Sequence, residues 1–161
     1  GDMTQASPRR PTSRASVSTW SSPVITASIA RCMSKDFAVI HPDMPVVAAS
    51  ARLMRHAMLG GPVVDADGLL LGWISEQECL QISLQVVYHN QRVATVRDIM
   101  RTDVLCVKLG DDPLELAQQM LGDKPKSYPV IDGSRKVLGV VTRRHVLNLL
   151  IDQLASFGKT A

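Results

Sequence analysis

At 161 residues, with 45% hydrophobic and 20% charged side chains, the chain can bury a real core, and neither disorder nor a fibrous fold suits its bulk. The formal charge of +3 owes most to Arg9, Arg10 and Arg14, which leaves the remainder nearly neutral; with aromatics at only 4%, both the cationic cluster and the stacking platforms of a nucleic-acid reader are missing. No run approaches the ~20 apolar residues of a membrane span and no apolar signal core opens the chain, so no membrane partner is expected and the cytoplasm is the expected compartment.

Residues 1–27 are rich in Ser, Thr, Arg and Pro, too polar to offset their own ordering entropy, and read as a tail that docks on the body or on a partner chain. A first unit spans residues 28–90. It opens with a short helix around Ile29 to Met33, followed by a β-rich run from Phe37 to His41. Val47, Ala51, Met54 and Met58 then mark one apolar stripe of a helix. Pro62 to Asp65 and Leu69 to Ile74 read as paired strands joined through Ala66-Asp67-Gly68, whose Asp-Gly dipeptide permits a tight turn. Ser75 and Glu78 make the S-x-x-E pattern of a capped helix start, and a second helix follows.

A second unit over residues 91–155 repeats this order: a short helix at Val96 to Met100, a β-rich run at Val104 to Lys108, and a helical stripe through Leu114, Ala117 and Leu121. A hairpin from Pro129 to Val141 turns through Gly133 and Ser134, and a closing helix carries Leu147, Leu150, Ile151 and Leu154. Residues 156–161 read as a short C-terminal tail. A shift of 67 positions aligns Met33 with Met100, Pro62-Val63 with Pro129-Val130, Asp65 with Asp132, Leu71-Gly72 with Leu138-Gly139 and Leu80 with Leu147, with no gap. Turns and apolar positions held in one register mark an internal repeat, so the fold class is α/β (α+β), built from two β-α-β-β-α units.

Val96-Arg97-Asp98-Ile99-Met100, the Pro-Val-hydrophobic-Asp strands, and Leu-x-Gly-x-hydrophobic-[Ser/Thr] leading into a helix resemble the CBS domain, whose tandem pair is called a Bateman module. The resemblance covers about residues 29–152. It implies two units packed as a pseudo-twofold intramolecular pair, with two clefts that in many relatives hold AMP, ADP, ATP or S-adenosylmethionine. It also implies a homodimer formed through the helices, and a sensing role toward a regulated protein whose identity the sequence does not give.

In that family a [Ser/Thr]-x-x-Asp element at the strand-to-helix junction accepts the ribose hydroxyls. Here it is Ser75-Glu76-Gln77-Glu78 in the first unit and Thr142-Arg143-Arg144-His145 in the second, so both depart from the pattern. Glu78 keeps the charge on a longer arm, with helix capping as its alternative role. His145 accepts one hydrogen bond when neutral, and Arg143 and Arg144 are either anion contacts or a solvated helix start. Gly61 permits close backbone approach, Lys126 is placed to meet phosphate, and Tyr128 either stacks on a base or fills the core. By position Met33, Ala38, Met100 and Leu105 flank the apolar slots or belong to plain core.

No nucleophile with a base, no metal set and no cofactor loop can be assembled, so an enzyme is not expected and no cofactor is required. Gly122 to Ser127 lacks the second glycine of a phosphate loop and carries Pro125 where a backbone donor is needed. Cys32, Cys79 and Cys106 lack metal-ligand spacing and read as inert thiols. The expected function is therefore a regulatory module for an adenosine-containing nucleotide; the alternative is a dimerisation or protein-interaction module that has lost nucleotide binding.

Overall fold

The computed structural model describes residues 28–92 and 94–160. The expected N-terminal tail lies outside the described residues. The elements run α1 (Ile29–Cys32), α2 (Val46–Arg55), β1 (Gly60–Val64), β2 (Leu70–Ser75), α3 (Glu76–His89), α4 (Val96–Ile99), α5 (Pro113–Leu121), β3 (Ser127–Ile131), β4 (Val137–Thr142) and α6 (Arg143–Thr160).

Each unit is centred on an antiparallel hairpin. Gly60 pairs with Ser75 and Gly61 with Ile74 in one, and Ser127 with Thr142 and Tyr128 with Val141 in the other. The β-rich runs that precede α2 and α5 contribute only one bridging residue each: Ile40 lies parallel to Val63, and Val107 parallel to Val130. Asp65 Oδ1 organises the first turn by accepting from the backbone of Asp67 and Leu69, while Gly68 takes a left-handed φ of 83°. In the second turn Asp132 plays the same part, but the left-handed residue is Arg135, with φ 71°, rather than Gly133. The two turns also pair with each other: Leu70 N donates to Arg135 O at 2.9 Å and Val137 N to Gly68 O at 3.1 Å.

The units exchange their leading helices. Ile29 of α1 is fully buried with Val107, Leu116, Met120, Val130 and Val141, in the core of the second hairpin. Val96 of α4 is buried with Ile40, Leu53, Val63 and Ile74, in the core of the first. After each leading helix the chain adds an edge to the other unit's hairpin, Ser34 opposite Val140 and Arg101 opposite Trp73. Burying each such Ile, Leu or Val is worth roughly 1.5–3 kcal/mol, so the crossing segments bind the halves together as core does.

Two features differ from the periodicity reading. The buried face of α2 is Val46, Ala49 and Leu53, not the stripe through Val47 and Met54, which are 66% and 69% exposed. Likewise α5 buries Pro113, Leu116 and Met120 while Leu121 is exposed. Both helices are apolar on more than one face, so spacing alone does not say which face turns inward. The last helix also continues through the stretch expected to be a C-terminal tail, ending at Thr160.

Candidate functional site

Ser75 closes β2 in extended conformation and caps α3. Its hydroxyl accepts from Glu78 N at 3.3 Å, while Glu78 Oε1 accepts from both Ser75 N and Ser75 Oγ at 3.0 Å. One carboxylate oxygen is thus spent on the cap. The other, Oε2, lies 3.8 Å from the Arg101 Nε, on the segment that crosses from the second unit. Leu59 O accepts from Glu76 N at 2.8 Å, which fastens the entry to β1 beneath the same helix start.

The second junction repeats the geometry with different chemistry. Thr142 Oγ1 accepts from His145 N at 3.2 Å, and His145 Nδ1 accepts from Thr142 N at 3.1 Å. An imidazole nitrogen that accepts carries no proton, so this cap needs His145 neutral, and burial indeed pushes its pKa down. Lys126 O accepts from Arg143 N at 2.9 Å, the counterpart of the Leu59 contact. Arg143 and Arg144 are exposed. The Lys126 ammonium donates to Gly122 O across its own loop.

Of the apolar residues singled out, Met100 and Met33 lie against the glycines of the opposite unit. A Cβ on Gly72 would meet Met100 Sδ at 3.0 Å, and one on Gly139 would meet Met33 Sδ at the same distance. Ala38 is fully buried and its N–H meets Met58 Sδ at 3.3 Å. Leu105, its counterpart, is half exposed. Gly61 is buried close under Leu53. Tyr128, in the place equivalent to Gly61, is 1% exposed in the second core, and its hydroxyl has no hydrogen-bond partner among the described residues. In this conformation its ring faces core rather than cleft.

The structure thus brings Ser75, Glu78 and Met100 to one junction and Thr142, His145, Lys126 and Met33 to the other. Sequence reasoning missed Arg101 and Ser34, which stand at equivalent places one residue beyond Met100 and Met33. The signal was present in the repeat register, but only the exchange of leading segments carries Arg101 to Glu78. Two shallow depressions lie elsewhere: one of about 620 Å³ bordered by His41, Asp43, Asp65 and Arg97, and one of about 540 Å³ bordered by Glu115, Gln118 and Lys124. Neither is lined by a residue expected to touch ligand.

Among the described residues no group of three or more His, Cys, Asp or Glu side chains is arranged to hold a metal ion. Burial raises the thiol pKa of Cys32, Cys79 and Cys106. No helix among the described residues is long and apolar enough to cross a membrane.

Comparison with known proteins matches the CBS domain at residues 27–84 and 96–152. The chain is 26% identical over 113 residues to inosine-5'-monophosphate dehydrogenase of Methanocaldococcus jannaschii, covering 70% of this chain but only 21% of that enzyme. It is 27% identical over 135 residues to a CBS domain-containing protein of Dictyostelium discoideum, covering 78% of this chain and 92% of the relative. Across the first curated relatives it spans about a fifth to a half of their length. Among solved structures, CBSX2 in complex with AMP superposes with a TM-score of 0.68 at 25% identity, over 78% of this chain and 96% of that one. The CBS domain pair of protein MJ0100, in complex with 5'-methylthioadenosine and S-adenosyl-L-methionine, gives a TM-score of 0.67 at 22% identity, over 79% and 98%. Matched in both repeats, with the hairpins, capped helices and exchanged leading segments of a pseudo-symmetric pair, the chain belongs to the CBS domain family as a tandem pair.

Proposed function

We propose that this CBS pair is a regulatory module that binds one adenosine-containing ligand, of the AMP, ADP, ATP or S-adenosylmethionine class, at the junction of Ser75 and Glu78. The occupancy of that site is passed through the geometry of a homodimer to a regulated protein. The observation that carries this reading is the acidic helix start: Glu78 Oε2 is not used by the helix cap, faces the seam between the units, and can accept ribose hydroxyls there. The AMP-bound relative supports the ligand class. In this reading the module has no catalytic step, requires no cofactor and acts in the cytoplasm.

The carboxylate is replaced at the second junction. His145 already spends Nδ1 on its own helix, so the usual ribose acceptor is lacking there. The same observation favours a second reading for the whole chain, an association module whose clefts no longer take nucleotide. Titration of the purified chain with AMP, ADP, ATP and S-adenosylmethionine in a calorimeter separates the two. Binding that Glu78→Ala weakens, with Glu78→Gln as the variant that keeps the cap pattern, supports the sensor. Silence across the panel, with dimerisation intact by light scattering, supports the association module.

A further inference from the structure

We propose that Arg101, delivered by the second unit to the first unit's helix start, sets the charge of the ligand accepted there, favouring an adenosine ligand with an anionic phosphate over one with a cationic sulfonium. The proposal rests on the nucleotide reading above and narrows it.

The position of Arg101 is fixed by backbone. Its N–H donates to Trp73 O at 2.9 Å and its carbonyl accepts from Trp73 N at 2.8 Å, while Met100 before it lies on Gly72, where no Cβ fits. The side chain is 57% exposed, and among the described residues its one partner is Glu78 Oε2 at 3.8 Å. A guanidinium carries five donors, so this single long contact leaves most of them available to an incoming anion.

The charge balance gives the reason. Glu76 and Glu78 both stand on the first turn of α3. Without a cation this turn would attract a sulfonium and repel a phosphate. Arg101 offsets one of these two charges and the N-terminal end of the helix dipole part of the other, while its unused guanidinium donors give a phosphate a local contact that a sulfonium cannot use. The other junction is an internal comparison. The counterpart of Arg101 is Ser34, whose hydroxyl is held by the backbone of Asp36, and the counterpart of Glu78 is His145. The carboxylate and the guanidinium that crosses to meet it are therefore present together at the first junction, and neither has a counterpart at the second, where the cations are Arg143 and Arg144 of the helix itself.

The test is calorimetry on the whole chain with AMP, adenosine and S-adenosylmethionine, for the parent protein, Arg101→Gln and Arg101→Lys. We expect AMP to bind more tightly than adenosine. Arg101→Gln should weaken AMP about tenfold, leave adenosine within about twofold and improve S-adenosylmethionine, with Arg101→Lys intermediate. Raising salt should weaken AMP and spare adenosine in the parent protein, a readout that does not depend on any variant folding. AMP and adenosine weakening together, or AMP unaffected by Arg101→Gln, overturns the proposal while leaving the nucleotide reading in place. Absence of binding by all three ligands to the parent protein overturns both.

Discussion

His145 Nδ1 accepts the backbone N–H of Thr142 at 3.1 Å, the position in which Glu78 Oε1 accepts that of Ser75 at 3.0 Å. The two halves therefore cap equivalent helices by the same geometry with groups of different acidity. A carboxylate can fill this role over the whole neutral range. An imidazole does so only while it is unprotonated.

This difference makes stability depend on pH. Burial holds the folded His145 pKa below its ordinary value of 6.5. Above that value folded and unfolded chains are both neutral here, and the cap is fully present. Below it the unfolded chain takes up the proton first, so stability is lost as pH falls from 6.5 toward the lower folded value. Urea denaturation across this range should show the loss in the parent protein and a smaller one in His145→Glu, which restores a carboxylate cap. At neutral pH His145→Glu should be about 0.5–1 kcal/mol more stable, since a negative charge suits a helix start carrying Arg143 and Arg144. Parallel pH profiles would contradict the assignment.

The exchange of leading segments depends on two glycines. A Cβ on Gly72 would lie 2.5 Å from Arg101 O, and one on Gly139 2.7 Å from Ser34 O. Backbone cannot yield there without breaking the edge pairing. Gly72→Ala and Gly139→Ala should each cost about 1–3 kcal/mol, read as a lowered melting temperature, whereas Gly133→Ala, with open space around it, should be close to neutral. Equal effects at all three sites would show that the crossings are looser than described.

Tyr128 offers a test of the opposite sign. A fully buried hydroxyl with no partner among the described residues costs about 1–3 kcal/mol relative to an apolar group of the same shape. Tyr128→Phe should therefore leave stability unchanged or raise it by about 1 kcal/mol in chemical denaturation. A loss exceeding 1 kcal/mol would reveal a hydrogen bond to this hydroxyl.

Leu80, Leu84 and Val87 lie exposed along α3, and their repeat counterparts Leu147, Ile151 and Leu154 lie exposed along α6. Two equivalent apolar faces on one pseudo-symmetric body suit a second copy of the chain better than a single small ligand. The combined substitution of Leu84→Glu and Ile151→Glu should convert a dimer to a folded monomer by light scattering, with circular dichroism unchanged. A dimer that survives both charges would place the interface elsewhere.

Several features were legible in the residues themselves because they rest on local chemistry. Asp67-Gly68 does turn the first hairpin, and Ser75 with Glu78 does form the cap that its spacing implies. The repeat register located both hairpins to within a few residues. What periodicity could not supply was destination: a four-residue amphipathic helix such as α1 or α4 gives no sign of which hairpin will cover it. For the same reason Arg101 was invisible as a partner of Glu78, since the two meet only through the exchange. Arg135 in a left-handed turn position was masked by the neighbouring Gly133, the more permissive residue by type. Tyr128 remained open between cleft and core because the choice is one of orientation, which sequence does not encode locally.

In the proposed function a matched pair of scaffolds carries unmatched sites, with the adenosine ligand held on the Glu78 side. This asymmetry is tested most directly by the stoichiometry of AMP binding in calorimetry, for the parent chain, Glu78→Ala and His145→Ala. One molecule per chain is expected, lost or strongly weakened by Glu78→Ala and retained in His145→Ala. Two equivalent molecules per chain, or a single one that depends on His145 and not on Glu78, would contradict it.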